Sequence, residues 1–334
     1  MGKTYLLTGA TGFVGGVLAR QLAAAGHSLR AIVRTPEKAG ALRGLGVELH
    51  PGDVTDKASM RSPMTGVDGV FHVAGWYKLG VTARERGVAE ATNVDGTRNV
   101  LELMRELGVP KGVYTSTLAV NSDTLGELVD ETYRFHGRHL SIYDETKARA
   151  HAVADEFIAR GLPLVIVQPG VIYGAGDTSS LRTTLLQFLH RKLPAIPAKT
   201  AFCWAHVDDV ARGHVLAMER GQAGRNYFIC GPVHTMEEGL QVASEISGVP
   251  MPRLRLQPGM MRAMSAVTAV IEKIAPLPAD YASETLRAMA GTTYIGSNLR
   301  AKSELGWTVR ELRDGWAETV QEEARLLRSA SAKV

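Results

Sequence analysis

Tyr143 and Lys147 stand four residues apart in SIYDETKARA, residues 141–150. On a helix that spacing puts both side chains on one face. A phenol ordinarily titrates near 10, and a neighbouring ammonium favours its ionised form and lowers that value. A phenol so placed can give or take a proton at neutral pH. Of the nine tyrosines, only Tyr143 has a lysine four residues further on. A solvent-facing pair would do nothing of the kind, so position in the fold decides. Just upstream, YTST (114–117) offers the hydroxyls of Ser116 and Thr117, either of which suits a hydrogen bond to a reacting oxygen.

A second constellation opens the chain. LLTGATGFVGG sets Gly9, Gly12, Gly15 and Gly16 directly after an apolar run. Glycines between a strand and a helix allow a tight turn and let a diphosphate rest against backbone N–H groups. The spacing is G-x-x-G-x-x-G. At the first strand-to-helix turn it points to a dinucleotide.

The elements that must hold these residues are legible as alternation. β-rich runs at 4–8, 28–34, 46–50, 69–75, 112–117 and 163–170 are separated by segments of helical spacing, among them Val14–Ala25, Ala91–Leu107 and Tyr143–Ala159. Gly26, Gly108 and Gly161 close those helices. Near-continuous apolar strands alternating with helices predict an α/β fold, a doubly wound parallel sheet covered on both faces. The Tyr143 helix then follows the strand ending in YTST, at the carboxyl edge where open α/β sheets bind ligands. The regularity fades after Gly174. The expected division is a dinucleotide-binding Rossmann domain of residues 1–174 plus 203–230, and a smaller, mostly helical substrate lobe of 175–202 plus 231–334.

The second strand's end selects the cofactor. An acid there would bind the free ribose hydroxyl of NAD, whereas this chain has Arg34, with Lys38 one turn on. A guanidinium matches a phosphate in shape and charge, so NADP(H) is expected over NAD(H).

The 334 residues carry a formal charge of +4, with no Lys/Arg-rich run, which argues against a nucleic-acid partner. Cys203 and Cys230 have no metal-type spacing, the ten histidines form no recognisable metal site, and a reducing compartment is expected. The apolar stretch at 259–278 contains Arg262, Glu272 and Lys273; it is too short and charged to span a bilayer and reads as a buried or groove-covering helix. A cytoplasmic protein with a small-molecule substrate and no membrane partner is the expectation.

TGATGFVGG, GDVTD (52–56), VFHVAG (70–75), NVDGTRNVLE (93–102), VYTST, Tyr143-x-x-x-Lys147, QPGVIYGAGD (168–177) and HVDDVARGHVLA (206–217) follow one another in an order similar to that of extended short-chain dehydrogenases/reductases, the epimerase/dehydratase superfamily. Within it the chain resembles the dihydroflavonol reductase and bacterial aldehyde reductase branch, strongly over about residues 4 to 220. The resemblance implies Tyr143 as catalytic acid/base, Lys147 on the nicotinamide ribose, and Thr117 as the oxygen-orienting hydroxyl, with Ser116 the neighbouring candidate. It implies a glycine-loop contact from Gly9, Thr11, Gly12, Phe13, Val14 and Gly15, adenine contacts from Asp53 and Val54, a diphosphate and ribose path along Ala74 and Gly75, and carboxamide contacts from Pro169 and Val171. Asn93 braces the sheet or relays protons, and His206, Asp208 and Asp209 are structural. Trp76, Tyr77, Lys78, the 135–139 loop, Tyr173 and the methionines at 260–264 are pocket candidates, those methionines more readily core. Relatives pair through two helices, here 91–107 and 143–160, so a homodimer is possible. The implied activity is NADPH-dependent reduction of a ketone or aldehyde; the alternatives are a nucleotide-sugar epimerase or dehydratase, for which Arg182, Arg253 and Arg255 are the candidates to meet a substrate diphosphate though no evident basic pair is aimed at one, and a non-catalytic NADP-sensing protein.

Overall fold

The computed structural model describes residues 2–331 apart from 82 and 276. In chain order the elements are β1 (Thr4–Thr8), α1 (Phe13–Ala24), β2 (Ser28–Val33), α2 (Gly40–Gly44), β3 (Glu48–Pro51), α3 (Lys57–Met64), β4 (Gly69–His72), α4 (Ala83–Glu90), α5 (Gly96–Glu106), β5 (Gly112–Thr115), α6 (Ile142–Ala159) and β6 (Leu164–Pro169). There follow β7 (Val171–Tyr173), α7 (Ser180–Leu189), β8 (Ala195–Pro197), β9 (Ala201–His206), α8 (Val207–Arg220), β10 (Asn226–Ile229), β11 (Val233–Thr235) and α9 (Met236–Ser247). The chain ends with β12 (Leu254–Leu256), α10 (Pro258–Ile271), α11 (Ser283–Ala288), β13 (Thr293–Tyr294) and α12 (Leu312–Ser331).

Seven strands form one sheet in the order β10-β6-β5-β4-β1-β2-β3, every neighbouring pair parallel. The expected doubly wound α/β sheet is there. Its central strands are apolar on both sides because helices cover both: Leu18 and Leu22 of α1 with Val210 and Ala217 of α8 pack one face, while Met60, Leu101, Met104 and Phe157 from α3, α5 and α6 pack the other. Strand order reverses between β1 and β4, which opens a crevice above their carboxyl ends.

A second sheet places β9 between β11 and β13, with β7 also paired to it. The expected segment 203–230 therefore feeds both sheets: β9 belongs to the smaller one and β10 to the edge of the larger. Tyr173 and Trp204 each meet Trp316 edge to face, and each other at a tilt, where α12 covers β7 and β9. Cys203 and Cys230 are buried free thiols, both donating to Gly296 O at 3.3 Å.

Two local expectations are altered. The helix expected at 91–107 starts earlier, as α4, and passes through a π turn at residues 91–95 before α5. The 259–278 segment does form a helix, α10, but only Met261 and Ser265 are buried, while Met260, Val267 and Val270 face out. Its apolar residues lie all round the helix and α11 covers one side only.

Candidate active site

Backbone geometry shapes the crevice first. Gly9 follows β1 with φ 72°, and a Cβ there would stand 2.6 Å from Ala74 N. A Cβ on Gly15 would stand 2.1 Å from Gly9 O, and Gly12 N–H donates to that same oxygen at 2.9 Å. Only glycine allows the turn to close this tightly. Gly12 caps α1 without a side-chain acceptor, so the positive end of the helix faces the crevice beside exposed Thr11 and half-buried Phe13 and Val14. These features fit a dinucleotide diphosphate. The register Thr8↔Ile32 carries the end of β2 alongside the loop, where Arg34 and Lys38 are exposed. Asp53 is fixed by Thr55, whose N–H and hydroxyl donate to its Oδ1 at 2.9 and 2.8 Å. Val54 is buried against Gly96, where a Cβ would stand 2.7 Å from a Val54 methyl. Pro169 ends β6 and Val171 begins β7 on the far side of the crevice.

Ser141 caps α6 by accepting from Asp144 N–H at 3.0 Å, which sets Tyr143 on the first turn and Lys147 on the second. The Tyr143 ring meets Tyr77 edge-on, centroids 4.8 Å apart, and its hydroxyl faces that of Thr117. Ser116 turns the other way, its Oγ 2.8 Å from His151 Nδ1. The structure thus brings Thr117, not Ser116, to the tyrosine.

Lys147 is buried, and its Nζ donates to Thr115 O at 2.8 Å and Tyr114 Oη at 3.3 Å. A Cβ on Gly75 would lie 3.9 Å from that Nζ and 3.5 Å from Asn93 Oδ1. The π turn delivers Asn93, which accepts from Trp76 N–H at 2.7 Å and donates to Thr146 Oγ1 and Trp76 O, both at 3.0 Å. Asn93 thereby braces the loop after β4 against α6.

The electrostatics differ from the expected lysine-lowered phenol. Burial pushes Tyr143 up from the ordinary tyrosine value, and the neighbouring Tyr77 adds to this, while the facing Thr117 hydroxyl pulls it partly back. Burial also brings Lys147 down to about 7. Among the chain's own groups, loss of water outweighs attraction between the pair, because the lysine bonds to β5 instead. The adjacent Asp144 is pushed up to about 7, again by burial, with Tyr294 donating to its Oδ2 at 3.0 Å.

Several residues named from sequence lie elsewhere. Tyr173 is fully buried under Trp204 and Trp316, and Lys78 pairs with Glu85. His206 accepts from Asp208 N–H, Asp208 pairs with Arg20, and Asp209 with Arg310. Arg182 is held by Glu323 and Arg255 by Glu237. No group of three or more metal-ligating side chains occurs among the described residues, and no described helix is long and apolar enough to cross a membrane.

One feature of the site leaves no signal in the sequence. Glu284 of α11 accepts from Ile142 N–H at 2.9 Å and Val81 N–H at 3.2 Å, joining the C-terminal helices to the start of α6. Nothing in the sequence signals a pairing over 142 positions. His72, by contrast, was visible as a polar residue inside the apolar run VFHVAG.

The model for the NAD dependent epimerase/dehydratase family matches residues 5–230. The chain is 31% identical over 323 residues to sterol demethylase protein B of Methylococcus capsulatus, covering 95% of this chain and 97% of that protein. It is 34% identical to a provisionally named dihydroflavonol 4-reductase of Synechocystis, over 76% of this chain and 75% of that one. Among solved structures, that of gox2253 superposes with a TM-score of 0.83 at 31% identity, covering 97% of this chain and 99% of that one.

Proposed function

The chain belongs to the NAD-dependent epimerase/dehydratase family, and within it we propose an NADPH-dependent reductase of a ketone or aldehyde carbonyl. The observation that carries this reading is the half-buried Tyr143, facing the Thr117 hydroxyl and one helical turn from Lys147. When bound, the nicotinamide supplies a hydride. Tyr143 then gives its phenolic proton to the substrate oxygen as that oxygen gains charge. The Thr117 hydroxyl bonds the same oxygen and fixes its direction. Lys147 would hold the nicotinamide ribose and return a proton to the tyrosine. Tyr77 packs edge-on against the Tyr143 ring and orients it.

Reduction needs a phenol that arrives protonated, whereas the first step of an epimerase needs it ionised. Of the three second-lobe arginines that could meet a substrate diphosphate, Arg182 and Arg255 are paired with glutamates, which weighs against that role for them, and Arg253 is exposed. Exposed Arg34 and Lys38 beside the glycine loop suit a ribose phosphate.

A panel of ketones, aldehydes and flavonoids, followed by NADPH absorbance, tests the proposal. Net NADPH consumption is expected with some of them, and Arg34→Ala raises the KM for NADPH about tenfold while leaving that for NADH nearly unchanged. Tightly retained NAD with no net consumption would point to an epimerase instead.

A further inference from the structure

Behind Lys147 runs a line of buried side chains that the roles above do not use. Lys147 Nζ lies 3.3 Å from Tyr114 Oη, and the Thr97 hydroxyl faces that of Tyr114. Thr97 Oγ1 lies 3.0 Å from His72 Nε2, and His72 Nδ1 lies 2.8 Å from Thr8 Oγ1. Thr8 Oγ1 accepts from Ala74 N–H at 3.2 Å, under the glycine loop. The four residues come from β5, α5, β4 and β1, and none is more than 1% exposed. His72 also stacks on Tyr114, centroids 5.4 Å apart.

Counting hydrogens gives this chain a direction. In one direction Thr8 accepts from Ala74 and gives its own hydrogen to His72 Nδ1. Then His72 Nε2–H donates to Thr97, Thr97 to Tyr114, and Tyr114 to the lone pair of a neutral Lys147 amine. Every hydrogen along the four-residue chain then has a partner. An ammonium has no lone pair and must donate to Tyr114. The tyrosine then donates to Thr97, Thr97 to His72 Nε2, and His72 Nδ1–H to Thr8.

We propose that His72 is a positioning residue for Lys147: the Thr8–His72–Thr97–Tyr114 chain reverses direction, and His72 exchanges tautomer, whenever the lysine gains or loses its proton. The proposal rests on the reading that Lys147 serves the reaction, and it gives the lysine a bonded partner in either charge state. Ala74 N–H closes the far end, so the chain is a reversible brace and not a path to solvent. The ionisable groups facing Lys147 are Tyr114 from β5, His72 from β4, and Tyr143 and His151 from α6. Burial holds both histidines neutral, His72 at about 3 and His151 at about 4, which leaves His72 only its two tautomers to exchange.

Long-range proton–nitrogen correlation on full-length protein labelled in histidine with nitrogen-15 reports which ring nitrogen of His72 carries hydrogen; His72→Gln assigns the signal. Between about pH 6 and about pH 9 the wild-type ring is expected to pass from Nδ1–H to Nε2–H at one midpoint, while Lys147→Met and Thr97→Val each hold one tautomer. A wild-type ring that keeps one tautomer throughout overturns the proposal, as does an exchange that persists in Lys147→Met. The wild-type titration decides by itself should a variant fail to fold. No substrate is added, so absence of carbonyl reduction would register separately, as absence of NADPH consumption. Thr97→Val is further expected to move the pH midpoint of turnover with the KM for NADPH unchanged; a profile superposing on the wild type's breaks the link to turnover.

Discussion

Thr117 and Ser116 are neighbours in VYTST, yet their hydroxyls serve different groups: Thr117 meets Tyr143 and Ser116 meets His151. Successive side chains of an extended segment point to opposite faces. Thr117→Val is therefore expected to lower kcat by about 100-fold. Ser116→Ala should leave kcat within a few-fold and cost about 1 kcal/mol in denaturant unfolding, because His151 loses a partner. The reverse ranking of the two variants would contradict this assignment. Sequence left the two hydroxyls open, since a motif fixes order along the chain and the pleat fixes direction. It also read Tyr143 and Lys147 as a pair on one helix face, and the structure keeps them there. What it missed was burial, which a spacing argument cannot see and which moves both groups opposite to their mutual attraction.

At the scale of elements, α6 is placed by contacts from distant sequence. Glu284 accepts from Ile142 N–H, one of the donors a helix start leaves unbonded, and from Val81 N–H. Glu284→Ala strands both donors and is expected to destabilise the protein by about 1–3 kcal/mol, with kcat lowered and NADPH affinity kept. Unchanged unfolding and turnover would show that α6 needs no such hold. Strand and helix periodicity exposed the first half of the fold, including α1 and α6, because buried parallel strands and glycine-ended helices leave strong patterns. The π turn that aims Asn93 left none, since one extra residue per turn changes no composition. Nor did the departure of β9 to a second sheet, because partner choice among apolar strands depends on packing between distant segments.

For the whole molecule, burying Lys147 links stability to pH. The side chain titrates near 10.5 when unfolded and at about 7 when folded. Between those values the unfolded chain holds a proton that the folded chain has released, so stability rises with pH across that window. Denaturant unfolding of the wild type from about pH 7 to about pH 9 should show that rise, and Lys147→Met should flatten it. Asp144, raised to about 7, titrates mainly below this range, as do the buried histidines His72, His151 and His214. An equal slope in wild type and variant would place the buried charge elsewhere.

Proton donation by Tyr143 is tested most directly by Tyr143→Phe, assayed for carbonyl turnover and for NADPH binding on one preparation. Turnover is predicted to fall by about 1,000-fold or more while the dissociation constant for NADPH stays within a few-fold of wild type. Turnover at the wild-type rate in that variant would contradict the account.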